Sequence, residues 1–163
     1  MDRPKLVALP SKRTGATNEM LRAAHVEMEV DILARTLWGE ARGEGKAGME
    51  AVAMVILNRA EIARAAGGYW WGNSVIEVCR KPYQFSCWNK SDPNMPKLLS
   101  VGLDNPYFST AVRVARRALL GFLSDPTKGA THYHARSVQP YWAKGQKPVA
   151  VIGRHIFYRL AGE

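Results

Sequence analysis

One glutamate, Glu40, has the sequence setting of a general acid. It lies within LARTLWGEARGEGKAG, residues 33–48, where an apolar pattern with helical spacing runs into four glycines. Because glycine is costly inside a helix, we predict that the helix ends just past Glu40 and leaves this carboxyl group at its tip. The neighbouring Trp38 would remove water from the carboxyl group and raise its pKa, so that it keeps a proton near neutral pH. The alternative is a solvated surface glutamate at a helix end.

Aromatic, amide and hydroxyl side chains are concentrated in residues 81–96, KPYQFSCWNKSDPNMP, which show little regular period. Aromatic ring faces stack on the C–H surfaces of sugars, while amides and hydroxyls bond sugar hydroxyl groups. We therefore predict a carbohydrate-contact loop with contacts from Gln84, Phe85, Ser86, Trp88 and Asn89. The alternative is an ordinary long loop that its aromatic rings hold in place. In a second aromatic patch, YWWG at residues 69–72, we expect at least one ring to lie in the core.

The chain of 163 residues carries an excess of positive charge, with a formal net charge of +9 and a pI near 9.8. Such an excess favours an anionic partner: nucleic acid, a membrane surface or the acidic polymers of a bacterial envelope. The basic residues are scattered and form no nucleic-acid fingerprint, so we expect no nucleic-acid partner. A non-catalytic module that binds DNA or wall polymer is the alternative from a different class. No stretch approaches the roughly 20 apolar residues of a membrane span, so we expect no stable membrane insertion.

The pattern of elements predicts a single α+β domain over residues 19–163, mainly helical with a small β-sheet near the C-terminus. Residues 1–18 have no period, which is typical of a flexible tail. Helices are predicted from residue 18 or 19 to Glu40, with Asp31 dividing this segment in two, and over residues 47–65, where the Gly67–Gly68 pair ends the helix. Two more are predicted over residues 74–79, capped by Asn73 or Ser74, and over residues 106–123, with Phe122 on the buried face. Residues 130–135 and 149–159 are predicted to be strands. Either a disulfide or two buried free thiols suits Cys79 and Cys87.

Five ordered blocks, WGEARGE, VAMVILNR, PYQFSCW, ATHYHA and IGRHIFYR, resemble the cell-wall hydrolase family typified by the catalytic domain of the spore-cortex-lytic enzyme SleB. The resemblance runs from about Asp31 to Arg159. It implies a lysozyme-like fold, cleavage of peptidoglycan glycan strands without a cofactor or metal, and Glu40 as the catalytic acid. Likeness to lysozyme-superfamily clefts adds Thr131 and Tyr133 to the substrate-binding residues. The Tyr133 hydroxyl would then donate to Glu40 or to the N-acetyl group; the alternative is a tyrosine packed in the core.

The start of the chain has too short an apolar piece for a secretory signal peptide. A compact, basic domain without a leader or a wall-binding domain is typical of a phage endolysin or a virion-borne wall enzyme. We therefore expect a monomer that acts in the bacterial cell envelope after assisted release or virion delivery.

The expected reaction is that of a lytic transglycosylase, because one good acid without an obvious partner suffices for it. Glu40 would protonate the glycosidic oxygen and then help the muramic acid C6 hydroxyl to attack the anomeric carbon. The first alternative is a hydrolytic muramidase, which needs a second carboxylate. The candidates are Asp92 and Glu44, and we expect Glu44 to point to solvent. The second alternative is a zinc-dependent wall amidase or peptidase, whose ligands would be His132, His134 and a third histidine from the next strand, His155.

Overall fold

The computed structural model describes residues 15–160, and its architecture is of the predicted α+β class. Five α-helices and a three-stranded sheet follow one another along this part of the chain. Their bounds are α1 Gly15–Ala41, α2 Gly45–Ala66, α3 Val75–Arg80, α4 Met95–Ser100, α5 Pro106–Leu119, β1 His132–Ala135, β2 Ala150–Ile152 and β3 His155–Tyr158. Short 3₁₀ turns lie at Arg42–Glu44, Ser86–Trp88 and Tyr141–Ala143. Of the predicted tail, residues 1–14 lie outside the described residues.

The first helix is one continuous rod that ends where the glycines follow. α1 runs from Gly15 to Ala41, which confirms the predicted end just past Glu40. The predicted division at Asp31 is wrong, because Arg35, one turn later, donates its Nε–H to the Asp31 carboxylate over 3.0 Å and supports the helix across this point. The C-terminal half of α1 is buried, and the residues without exposed surface are Leu33, Ala34, Thr36 and Leu37.

α2 and α5 pack against α1 and enclose the main core. α2 ends at a left-handed Gly67 with φ of 73°, as predicted from the glycine pair at residues 67 and 68. α5 is shorter than predicted: it ends at Leu119, and Gly121, with φ of 79°, turns the chain away. Phe122 is therefore 73% exposed, and the prediction that it is buried was wrong.

The segment between α2 and the predicted contact loop is held by one buried ring. Trp71 is 1% exposed, which confirms that part of the YWWG patch lies in the core. The Ser74 hydroxyl caps α3 as predicted, since it accepts the Glu77 backbone N–H. Cys79 and Cys87 are both buried and free, so the thiol alternative is the one that the structure supports.

The small sheet lies at the C-terminal end of the chain, with antiparallel strands in the order β1-β3-β2. The predicted strand over residues 149–159 is two strands, because Gly153, with φ of 57°, forms a turn between them. In the register, Tyr133 lies opposite Phe157 and Ala135 lies opposite His155. Within residues 15–160 no helix is long and apolar enough to cross a bilayer.

Candidate active site

Glu40 lies in the last turn of α1, where that helix meets the Ser86–Trp88 turn. The preceding residue explains how closely the two segments approach. A Cβ on Gly39 would lie 2.7 Å from the Cβ and 2.9 Å from the Sγ of Cys87, so only glycine fits at this position. The helix end and the contact loop therefore meet at Gly39 and Cys87, directly beside the acid.

The carboxyl group of Glu40 is largely removed from water. Burial raises its pKa, and the negative charge of Asp92 raises it further. The Tyr133 hydroxyl donates to Glu40 Oε2 over 3.2 Å and, together with the thiol and backbone amide of Cys87, lowers the pKa again. Burial outweighs these hydrogen bonds, so the net direction is upward, as predicted.

The aromatic neighbour of Glu40 is Tyr133, and the prediction that Trp38 fulfils this function was wrong. Trp38 precedes Glu40 by two positions, which places its side chain on a different face of α1. It is 6% exposed, packs in the main core and lies 4.2 Å beneath the guanidinium of Arg42. Burial raises the pKa of Tyr133 well above its usual value, so its hydroxyl remains a donor.

Glu40 and Tyr133 open onto a cavity of about 280 Å³. Three of the residues predicted as sugar contacts in the loop line it with them: Gln84, Phe85 and Ser86. The side-chain amide of Gln84 is fixed, because its Nε2 donates to the Trp71 carbonyl over 3.0 Å and to the Val78 carbonyl over 2.8 Å. Phe85 is buried and forms a wall, whereas Ser86 is exposed.

Three predicted contact residues lie outside this cavity. The side chain of Thr131 has no exposed surface, so the prediction that it contacts substrate directly was wrong. Trp88 lines an adjoining hollow of about 410 Å³ instead, and its Nε1–H donates to the Thr36 hydroxyl over 2.9 Å. Asn89 lines the same adjoining hollow.

Four further residues line the cavity that the sequence did not identify as contacts: Arg59, Tyr83, His132 and Trp142. Arg59 is a charged residue near the C-terminal end of α2, at a position where the apolar stripe of that helix would otherwise continue. This break in the pattern was the sequence signal that could have identified it. Tyr83 has a positive φ of 64° and is 87% exposed, but the sequence does not reveal this backbone state. Trp142 packs against His132 with ring centroids 5.1 Å apart, a contact that depends on the tertiary fold.

Neither candidate for a second carboxylate lines the cavity. Glu44 accepts hydrogen bonds from the backbone N–H and the Nε–H of Arg154, over 3.0 and 2.8 Å, and these lower its pKa. The expectation that Glu44 points to solvent was therefore wrong. Asp92 is half-buried and accepts the Asn94 backbone N–H over 2.8 Å.

The three histidines of the zinc hypothesis do not converge. Successive residues of a strand face opposite sides of a sheet, so every second residue faces the same side. His132 and His134 lie on one side of β1, where both contact Trp142, with centroids 5.1 and 5.6 Å away. His155 lies opposite Ala135, on the other side, and packs against Tyr133 at 4.9 Å. His132 and His134 therefore share one side of the sheet, and His155, on the other side, does not complete a zinc site with them.

A family model described as "Cell Wall Hydrolase" matches residues 43–158, which is most of the chain. The chain belongs to the cell wall hydrolase family. Glu40 lies just before the matched segment. The spore cortex-lytic enzyme of Halalkalibacterium halodurans is 30% identical over 145 residues, which cover 87% of this chain and 37% of that enzyme. The enzyme of the same name from Bacillus subtilis is 29% identical over 132 residues, which cover 79% of this chain and 37% of the relative.

Two solved structures share the fold of this cell wall hydrolase. The catalytic domain of the Bacillus cereus SleB protein aligns with a TM-score of 0.61 and 27% identity, over 80% of this chain and 89% of that domain. The catalytic domain of the germination-specific lytic transglycosylase SleB from Bacillus anthracis aligns with a TM-score of 0.58 and 27% identity, over 80% and 93%. These matches confirm the predicted lysozyme-like fold and the predicted family.

In this family member, the cavity is one of three hollows in a row. The hollow of about 410 Å³ shares Tyr83 with the cavity. It shares Arg80, Lys81 and Pro82 with a third hollow of about 520 Å³. The third hollow is lined by Trp70, whose side chain is 61% exposed. Shared lining residues thus connect the cavity at Glu40 to the hollow beside Trp70, and we call these three adjoining hollows the groove.

Proposed function

We propose that this chain is a lytic transglycosylase that cleaves the MurNAc–GlcNAc bond of peptidoglycan glycan strands, with Glu40 as general acid and then general base. The main support is that Glu40, within the described residues, is the carboxylate that lines the cavity, and that burial raises its pKa. The chain's likeness to SleB from Bacillus anthracis, a germination-specific lytic transglycosylase, further supports this reaction. The chain spans only 37% of the length of the curated relatives, so the proposal concerns this domain.

The reaction needs one group that can both give and take a proton. Protonated Glu40 donates to the glycosidic oxygen, and the bond from this oxygen to muramic acid C1 breaks. The resulting carboxylate then takes the proton of the muramic acid C6 hydroxyl while O6 bonds to C1. The products are a 1,6-anhydro end and a free GlcNAc hydroxyl, and Glu40 regains its proton. Water is not consumed.

The neighbours of Glu40 suit both halves of this cycle. Burial favours the protonated acid before bond cleavage, while the Tyr133 hydroxyl at 3.2 Å stabilises the carboxylate that remains after it. Gln84, Phe85 and Ser86 line the cavity where the sugar would bind. Trp88 contributes through the adjoining hollow. We further propose that the protein acts as a monomer.

A hydrolytic muramidase is the second candidate, because the charge of Asp92 acts on Glu40 and raises its pKa. In that reaction Asp92 or Glu44 would serve as the second carboxylate and water would attack C1. Both reactions place the enzyme at peptidoglycan, in the bacterial cell envelope. They differ in the product end: 1,6-anhydro muramic acid or reducing-end muramic acid.

The test is a digest of purified sacculi, with product masses measured before and after borohydride reduction. We expect anhydro ends that borohydride does not change. The Glu40→Gln variant should release no products. Glu61→Gln, which changes an exposed carboxylate on α2 paired with Arg64, is the matched control and should retain activity. Reducing ends alone would reject the transglycosylase in favour of the muramidase, and a lytic Glu40→Gln variant would reject Glu40 in either reaction.

A further inference from the structure

Arg59 is a buried cation in the cavity without an anionic partner. It is 8% exposed, and no carboxylate in residues 15–160 lies within ion-pair distance of it. Its Nε–H donates to the Thr131 carbonyl over 2.7 Å. Its terminal nitrogens have no hydrogen-bond partner within the described chain, and Arg59 lines the cavity. Burial lowers its pKa to about 10, which still leaves the guanidinium charged at neutral pH.

A buried charge normally has a partner, because removing an unpaired ion from water costs several kcal/mol. The Trp71 ring, 5.1 Å from the guanidinium, offsets part of this cost through a cation–π contact. The four terminal N–H groups have no partner in residues 15–160 and are accessible from the cavity, and they form the planar fork that binds carboxylates with two parallel hydrogen bonds. The cavity therefore offers a place for an anion at Arg59.

His132 supplies a neutral donor beside this arginine. Burial, with a smaller contribution from the charge of Arg59, lowers its pKa to about 4, so the ring is uncharged at neutral pH. The Thr131 hydroxyl accepts the Leu160 backbone N–H over 3.0 Å and lies 2.8 Å from His132 Nδ1. Within residues 15–160 the Thr131 hydroxyl proton has no other acceptor than Nδ1, so we assign it to that contact, which leaves the ring proton on Nε2. Thr131 thus positions both groups, through its carbonyl and its hydroxyl.

We propose that Arg59 and His132 bind a carboxylate of the substrate, namely the lactyl carboxylate of a muramic acid residue that carries no stem peptide. This inference rests on the proposed function. The lactyl group is attached to O3 of the same ring whose C1 reacts at Glu40, and the three side chains line one cavity. When a stem peptide is attached, the lactyl carboxyl is an amide and has no charge. The pair therefore makes the enzyme selective for peptide-free glycan.

The test compares two forms of one glycan. The first form is the peptide-free strand with its lactyl carboxylates. The second is the same strand after carbodiimide coupling to ammonia, which converts these carboxylates to carboxamides. We expect the wild-type protein to cleave the carboxylate form with a kcat/KM at least about tenfold higher, because amidation removes the charge that strengthens the hydrogen bonds from Arg59. Arg59→Gln should cleave both forms at about the same rate, and Arg59→Lys should keep part of the preference. A merely structural arginine would change both rates together.

Each outcome has a separate meaning. Equal cleavage of the two forms by the wild-type protein, or an unchanged preference in Arg59→Gln, overturns the carboxylate site. Anhydro product from neither form rejects the proposed function itself. Peptide-bearing strands, before and after amidation of their stem carboxylates, form the third arm. A preference found only there assigns the anion to the peptide and overturns the lactyl assignment. If Arg59→Gln fails to fold, the wild-type selectivity and Arg59→Lys decide the question.

Discussion

Replacing Glu40 with glutamine should remove activity and, above acidic pH, increase stability. The substitution keeps the shape of the side chain and an oxygen that can accept the Tyr133 hydroxyl, now 3.2 Å from Oε2. It removes the proton that the reaction needs. General acid–base catalysis contributes about 10²- to 10⁴-fold to a rate, so the loss of lytic activity should be at least of this order.

The sign of the stability effect follows from the raised pKa of Glu40. In the unfolded chain this carboxyl ionises near its usual value of 4.5, whereas burial in the fold keeps the proton to higher pH. Below the unfolded pKa both states are protonated, and the stabilisation is complete. As pH rises from there through the folded pKa, the unfolded state is favoured by about 1.4 kcal/mol for each pKa unit of elevation. The glutamine side chain does not ionise, so the variant does not lose this stability as pH rises.

The assay is urea denaturation of the wild-type protein and the variant at a series of pH values, with circular dichroism as the signal. The free energy of unfolding of the wild type minus that of Glu40→Gln should fall as pH rises above about 4.5, and then level off. Subtracting the variant removes the contribution of the titrating groups that do not interact with Glu40. Glu61→Gln serves as control, since Arg64 lowers the pKa of Glu61. A difference that stays constant or grows with pH would show that Glu40 is well solvated, and the catalytic argument would fail with it.

Three further predictions concern the surroundings of the acid. Tyr133→Phe removes a donor to Glu40 and raises its pKa further, so the alkaline limb of the pH–rate profile should move to higher pH; an unmoved limb contradicts the contact. Gly39→Ala forces a Cβ to within 2.7 Å of the Cys87 Cβ and should reduce the free energy of unfolding by about 1–3 kcal/mol in a denaturant melt; an unchanged midpoint would count against the close approach. Trp70→Ala should raise KM on long glycan strands by about three- to tenfold and leave short fragments unaffected. Equal effects on both substrates would remove Trp70 from the groove.

Local signals were sufficient to predict much of the fold. The end of α1 beside Glu40 and the end of α2 at Gly67 were both predicted, because glycine acts on the backbone within one or two residues. The cap at Ser74 was local in the same sense. The end of α5 was missed because apolar residues continue past Leu119, and the left-handed Gly121 that stops the helix carries no distinct pattern.

The rest of the site depends on contacts between distant segments. Thr131 was predicted to bind substrate, but the fold buries it beneath Arg59, 72 residues earlier in the chain, and beside His132. The zinc hypothesis needed the register of β3 against β1, which puts His155 on the other side of the sheet. A pattern of residue types does not contain a register, so it grouped three histidines that the sheet separates.

The close approach of Gly39 and Cys87 has a consequence for how this enzyme can change. The helix end that carries the proposed proton donor and the loop proposed to hold the sugar approach each other so closely at Gly39 and Cys87 that no room is left for a methyl group. Replacing this loop with that of a relative that prefers other sugars would displace the Glu40 carboxyl group from the substrate. Gly39 and Cys87 would therefore have to be exchanged together with the loop. Substrate preference can therefore change more readily in the hollow beside Trp70, where substitutions do not displace the Glu40 carboxyl group.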